Sequence, residues 1–185
     1  MRILITTILA LFSGLSCAAE PTQLFDDKPY TLNLEALQAL DPKPLQVQVF
    51  SPDPANSDRV KGLRIISTGR VFPVAYDVIS ITGGKQEAVD AASNALDGRE
   101  EIILKEFVKC KFSDKCLHYF HRASNNGKPH HVSSNYLFIK DGTFFHFSAT
   151  NYAALIMPRE SWGEPKPDQN AESEVNLLMQ AASFK

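Results

Sequence analysis

Most of the features that would betray an activity are scarce or missing in this sequence. Three cysteines and one tryptophan stand among 185 residues, and no two cysteines are spaced as CxxC. That spacing excludes a thioredoxin-like redox centre. No GxGxxG and no GK[ST] loop occurs, so the glycines offer no dinucleotide or phosphate cradle. No GxSxG elbow and no SxxK is present, which removes the common serine-nucleophile signatures. Neither sign of charge is in excess: 19 Lys and Arg meet 21 Asp and Glu, for a net charge of −2. Such a chain has no electrostatic footprint for nucleic acid or for an anionic membrane. Internal repeats and low-complexity tracts are absent as well.

Long apolar runs are also lacking, with one exception at the start. Met1-Arg2 leads into Ile3 to Phe12 (ILITTILALF), followed by Ser13-Gly14-Leu15-Ser16-Cys17-Ala18-Ala19. A basic start, an apolar stretch and a small-residue exit are the layout of a secretory signal. The run is short of the roughly 20 residues that span a bilayer. Residues 1–19 are therefore expected to be a signal peptide, cut after Ala18 or Ala19. A lipid anchor at Cys17 fits less well. The lipoprotein pattern places a Leu-like residue three before the cysteine and a small one two before, whereas Gly14 and Leu15 stand there in the reverse sense.

The expected mature chain, 20–185, suits one domain. The composition of the whole sequence is that of a folded protein: 44% hydrophobic and 22% charged. Cys110 and Cys116 remain, an even pair that reads as a disulfide in an oxidising compartment. Free thiols or metal ligands are the alternatives. The expected location is the bacterial periplasm or the exterior.

Patterning predicts an α+β fold. Tyr30–Leu34 and Leu45–Phe50 alternate at period two, the second with Leu45, Val47 and Val49 on one side and Gln46 and Gln48 on the other. Residues 62–67 and 74–81 read as further strands. Gly83-Gly84 opens a helix whose stripe is Ala88, Val89, Ala92, Ala95 and Leu96, closed by Asp97-Gly98. Residues 102–112 alternate again and turn back into 116–123, so the disulfide would staple a hairpin. Asp141-Gly142 is the strongest hairpin signal. With that pair as the turn, Phe138 faces Phe145, Tyr136 faces Phe147, and Leu137 faces His146. The final helix would be capped by Asn170 and bury Val175, Leu178 and Ala182. A mostly antiparallel sheet packed with two main helices follows.

This order of elements, from the strand at Tyr30 to the closing helix and its Ser183-Phe184-Lys185 tail, resembles the PsbP-like superfamily. That group includes photosystem II extrinsic proteins and small bacterial envelope proteins of the DcrB type. The resemblance implies an α/β/α sandwich and a non-catalytic accessory or binding role. It carries over no functional residues.

Five histidines, His118, His121, His130, His131 and His146, crowd one third of the chain. Imidazole is the commonest zinc and copper ligand, so His121, His131 and His146 form a candidate metal set. The other meaning of the cluster is a polar sheet face. Trp162, His130 and Asn126 lie on loops and are candidates for contact with a partner. The leading functional expectation is an exported, non-enzymatic protein that binds a protein. It could serve as an envelope accessory factor or as an immunity protein that plugs a periplasmic toxin. The alternatives are histidine-mediated metal binding and an uncharacterised hydrolase.

Overall fold

The computed structural model describes residues 30–70, 73–125, 128–152 and 169–184, without the side chains of 124–125, 128–130 and 169–170. The expected signal peptide, Asn126, Trp162 and the side chains of His130 and Asn170 therefore lie outside the described residues.

In chain order the elements are β1 (Tyr30–Leu32), α1 (Leu34–Gln38), β2 (Gln46–Phe50), β3 (Val60–Ser67), β4 (Val74–Thr82) and α2 (Gln86–Ala95). Then come β5 (Ile102–Val108), β6 (Cys116–Asn125), β7 (Lys128–Lys140), β8 (Thr143–Asn151), α3 (Gln169–Ala181) and β9 (Ala182–Phe184). Seven strands form one antiparallel sheet in the order β2-β3-β4-β8-β7-β6-β5, and β1 pairs with β9 separately. This is the expected α+β class.

The centre of the sheet follows from local chemistry. Asp141 and Gly142 both take positive φ, 48° and 70°, which a two-residue hairpin turn demands. That turn sets the register: Phe138 pairs with Phe145, Tyr136 with Phe147, and Leu137 with His146. Phe138, Phe145 and Phe147 are fully buried on one face, joined there by Leu63, Ile65, Val74, Tyr76 and Val78. α3 lays Val175, Leu178 and Met179 on this face, and β1 adds Tyr30 and Leu32. On the other face α2 covers only part of the sheet. Val89 packs on Leu117 and Leu137, with Ala92, Leu96, Ile139 and Phe144 around it.

Several boundaries differ from the pattern-based reading, each for a visible reason. The first strand stops at Leu32 because the Asn33 side chain accepts from the Glu35 amide at 3.0 Å and starts α1. β5 ends at Val108, since the chain curls there and the Cys110 amide donates to the Ser113 carbonyl at 3.0 Å. Cys110 and Phe112 still pack on the core, but from a loop. A bulge between Ile102 and Leu104 sends Ile102 to the face opposite Leu104. Ala182 lies in β9, not in the closing helix.

Cys110 and Cys116 are bonded, with Cα atoms 5.9 Å apart. The bonded loop sits on the end of α3. Lys111 Nζ donates to the carbonyls of Met179 (3.2 Å), Gln180 (3.0 Å) and Ala182 (2.7 Å), and Phe112 stacks edge-on against Phe184. A cation at a helix C-terminus complements the dipole. Glu174 ties α3 to the sheet by accepting from Arg70 and the Tyr76 hydroxyl. Among the described residues no helix is long and apolar enough to cross a membrane.

Candidate functional site

The histidines are distributed by strand parity. His118 points to the α3 face, whereas His121 lies on the α2 face with His131 and His146. His121 pairs with Ser133 and His131 with Ala123, so the two rings approach across β6 and β7, with centroids 6.1 Å apart. His146 stands elsewhere. It pairs with Leu137, four positions along β7 from Ser133, which is roughly 13 Å along the strand direction. Its Nε2 is hydrogen-bonded to Asn135 Oδ1 at 2.9 Å, and Asn135 Nδ2 donates to Ser133 Oγ at 3.1 Å. Burial pushes the His146 imidazole down to about 4, against a weaker opposing pull from Asp77. A neutral ring serving Asn135 is a structural polar bridge. The expected trio of ligands is thus split into a pair and an outlier. Among the described residues, no three or more His, Cys, Asp or Glu gather as a metal ion requires. Two imidazoles supply half of a tetrahedral zinc shell.

The other face holds an arrangement that sequence reasoning missed. Glu106, His118 and Ser134 lie on the neighbouring strands β5, β6 and β7. His118 Nε2 lies 3.1 Å from Ser134 Oγ, and Nδ1 lies 3.5 Å from Glu106 Oε1. The connectivity is that of a serine–histidine–carboxylate relay. Its surroundings are those of a core. Ser134 is fully buried in the middle of a strand paired on both sides, so the backbone amides beside it belong to the ladder and leave no oxyanion hole. Tyr136 stacks flat on the His118 ring at 4.4 Å and Phe120 meets its edge at 4.9 Å. Burial lowers the His118 pKa, with Glu106 and Glu172 pulling the other way. The group satisfies polar atoms inside the sheet. Even-number parity with buried Cys116 was the signal that His118 turns inward.

The two edges of the sheet differ. β5 carries Lys105 and Glu106, begins with the bulge, and shields its exposed Phe107 with the Lys115 ammonium, 4.8 Å above the ring. Charges and bulges of this kind discourage further pairing. β2 has neither. Its sequence QVQVF is uncharged, and it pairs with β3 without a register shift, Gln46 with Ile66 through Phe50 with Gly62. Val47 is 38% and Val49 64% exposed, although both share a face with the buried Leu63 and Ile65. Alternation alone predicts a half-buried strand. Position at the end of the sheet leaves these valines bare. The flanks are charged: Lys43 precedes the strand and Asp53 follows it, with Pro44 and Pro52 between.

No family model matches this chain, and no curated protein or solved structure matches it either. The open β2 edge and the paired His121 and His131 are the two surface features that chemistry alone singles out.

Proposed function

We propose that this is an exported, non-enzymatic protein that works by binding another protein, and that the β2 edge is where binding occurs. One observation carries the reading: an uncharged strand at the sheet edge, with Val47 and Val49 exposed and none of the protection found on β5. An edge strand offers alternate backbone N–H and C=O groups to a second strand, and side-chain pairs then set specificity. The Cys110–Cys116 bond supports the exported location, because such bonds persist in oxidising compartments. The burial of Ser134 weighs against a hydrolase. The PsbP-like order of elements accords with an accessory role, and an immunity protein uses the same physics.

The test is photo-crosslinking in the producing cell, with a benzophenone amino acid at position 49 and a control at Glu87, which is exposed on α2. A discrete adduct of protein mass from position 49 and none from position 87 is expected. Equal, diffuse labelling from both positions would contradict the reading.

A further inference from the structure

We propose that β2 is the two-fold interface of a homodimer, in which two copies join their β2 edges antiparallel and centre on Gln48. The inference rests on β2 being a protein-pairing edge and names the partner as a second copy of this chain. The strand is complementary to itself. With Gln48 opposite Gln48, Gln46 meets Phe50 and Val47 meets Val49 in both directions. Directly opposed residues of an antiparallel pair lie on one face. Four valines therefore form one patch, on the face where each copy buries Leu63 and Ile65.

The flanks agree with the same register. If the same register ran on past the strand ends, Pro44 would stand opposite Pro52, and Lys43 of each copy opposite Asp53 of the other, the carboxylate that also caps the turn at Pro54–Asn56. Opposite charges across strands attract, and here the match occurs twice by symmetry. Prolines cannot donate to a ladder, so they bracket a five-residue pairing. Sliding the register by two residues would bring a proline against the ladder and part the charges. Joining the edges makes one continuous sheet from two seven-stranded ones and removes the single unprotected edge of the main sheet among the described residues.

Sedimentation velocity on the protein purified from its own compartment, across a concentration series, tests this. A reversible monomer–dimer equilibrium is expected. Val49→Lys, at an exposed position, should abolish it. Lys43→Asp and Asp53→Lys should each weaken self-association about tenfold, because two attractions become two repulsions. An equimolar mixture of K43D and D53K should dimerise again, since both facing pairs of the mixed dimer then carry opposite charges. Circular dichroism of each variant confirms that it is folded. A wild-type protein that is monomeric at every concentration overturns the homodimer, as does a dimer indifferent to V49K or a mixture that fails to recover. A monomer that still crosslinks from position 49 to a different protein overturns the homodimer but leaves the binding reading standing. A monomer with no crosslink sinks both.

Discussion

At the scale of single residues, two imidazoles, the buried His118 and the partly buried His146, make stability depend on pH. His146 is held down to about 4 in the folded protein and His118 is also lowered, both chiefly by burial. An unfolded chain takes up protons on histidine near pH 6.5. Above that pH both states are neutral and folding loses nothing. As pH falls below about 6.5 the unfolded state binds protons that the folded state refuses, so stability declines until the folded rings protonate as well. Each proton bound only by the unfolded chain costs about 1.4 kcal/mol per pH unit. Urea melts between pH 7 and pH 4 should therefore slope downward. His146→Asn, which keeps a polar group beside Asn135, should flatten the slope. An unchanged slope would place the pH dependence elsewhere. The sequence made these histidines visible as a cluster, but not their roles. His121 meets His131 because of the register of β6 on β7, and that register includes a shift between Ala123 and Ser124 that no local pattern announces.

At the scale of elements, the bonded loop and α3 form a coupled unit. Reduction of Cys110–Cys116 should cost about 2 kcal/mol through the entropy of so short a loop in the unfolded chain. Lys111→Met should cost about 1 kcal/mol, because two carbonyls in the last turn of α3 and that of Ala182 at the start of β9 lose a charged donor. Lys111 is placed by the bonded loop, so the two losses should overlap. In thermal melts, K111M should lower Tm less in reduced protein than in oxidised protein. Full additivity would mean that the loop docks without the bond. The elements that sequence made legible are those with local determinants. Asp141-Gly142 requires positive φ, and the pairing of Phe138, Tyr136 and Leu137 followed from it. Val89, Ala92 and Leu96 located α2, but Ala88 and Ala95 of the expected stripe are exposed and Ser93 is buried in their place, because the helix rests on Leu117 and Leu137 along one narrow line; Gly98 past its end is left-handed (φ 71°). Elements set by distant partners were hidden. β1 and β9 are three-residue strands that exist through each other, Tyr30 with Phe184 and Leu32 with Ala182. The bulge beside Ile103 reverses a face without any glycine to mark it.

At the scale of the whole molecule, strand order decides what the surface can do. The alternation in β2 was plain in the sequence, yet it says nothing about which side the strand leaves open. Placed at the end of the sheet, the same residues become an exposed valine pair beside a ladder that no other strand among the described residues takes up. Glu106, His118 and Ser134 meet for the same reason, being neighbours only because β5, β6 and β7 are adjacent. The most direct measurement of the central claim is amide hydrogen exchange across Gln46–Phe50 as protein concentration rises. Alternate amides of β2 already bond to β3, and the others face outward. The account predicts that the outward amides become protected at high concentration and that Val49→Lys abolishes this gain. Outward amides that exchange at the same fast rate at every concentration, in both wild type and variant, would contradict it.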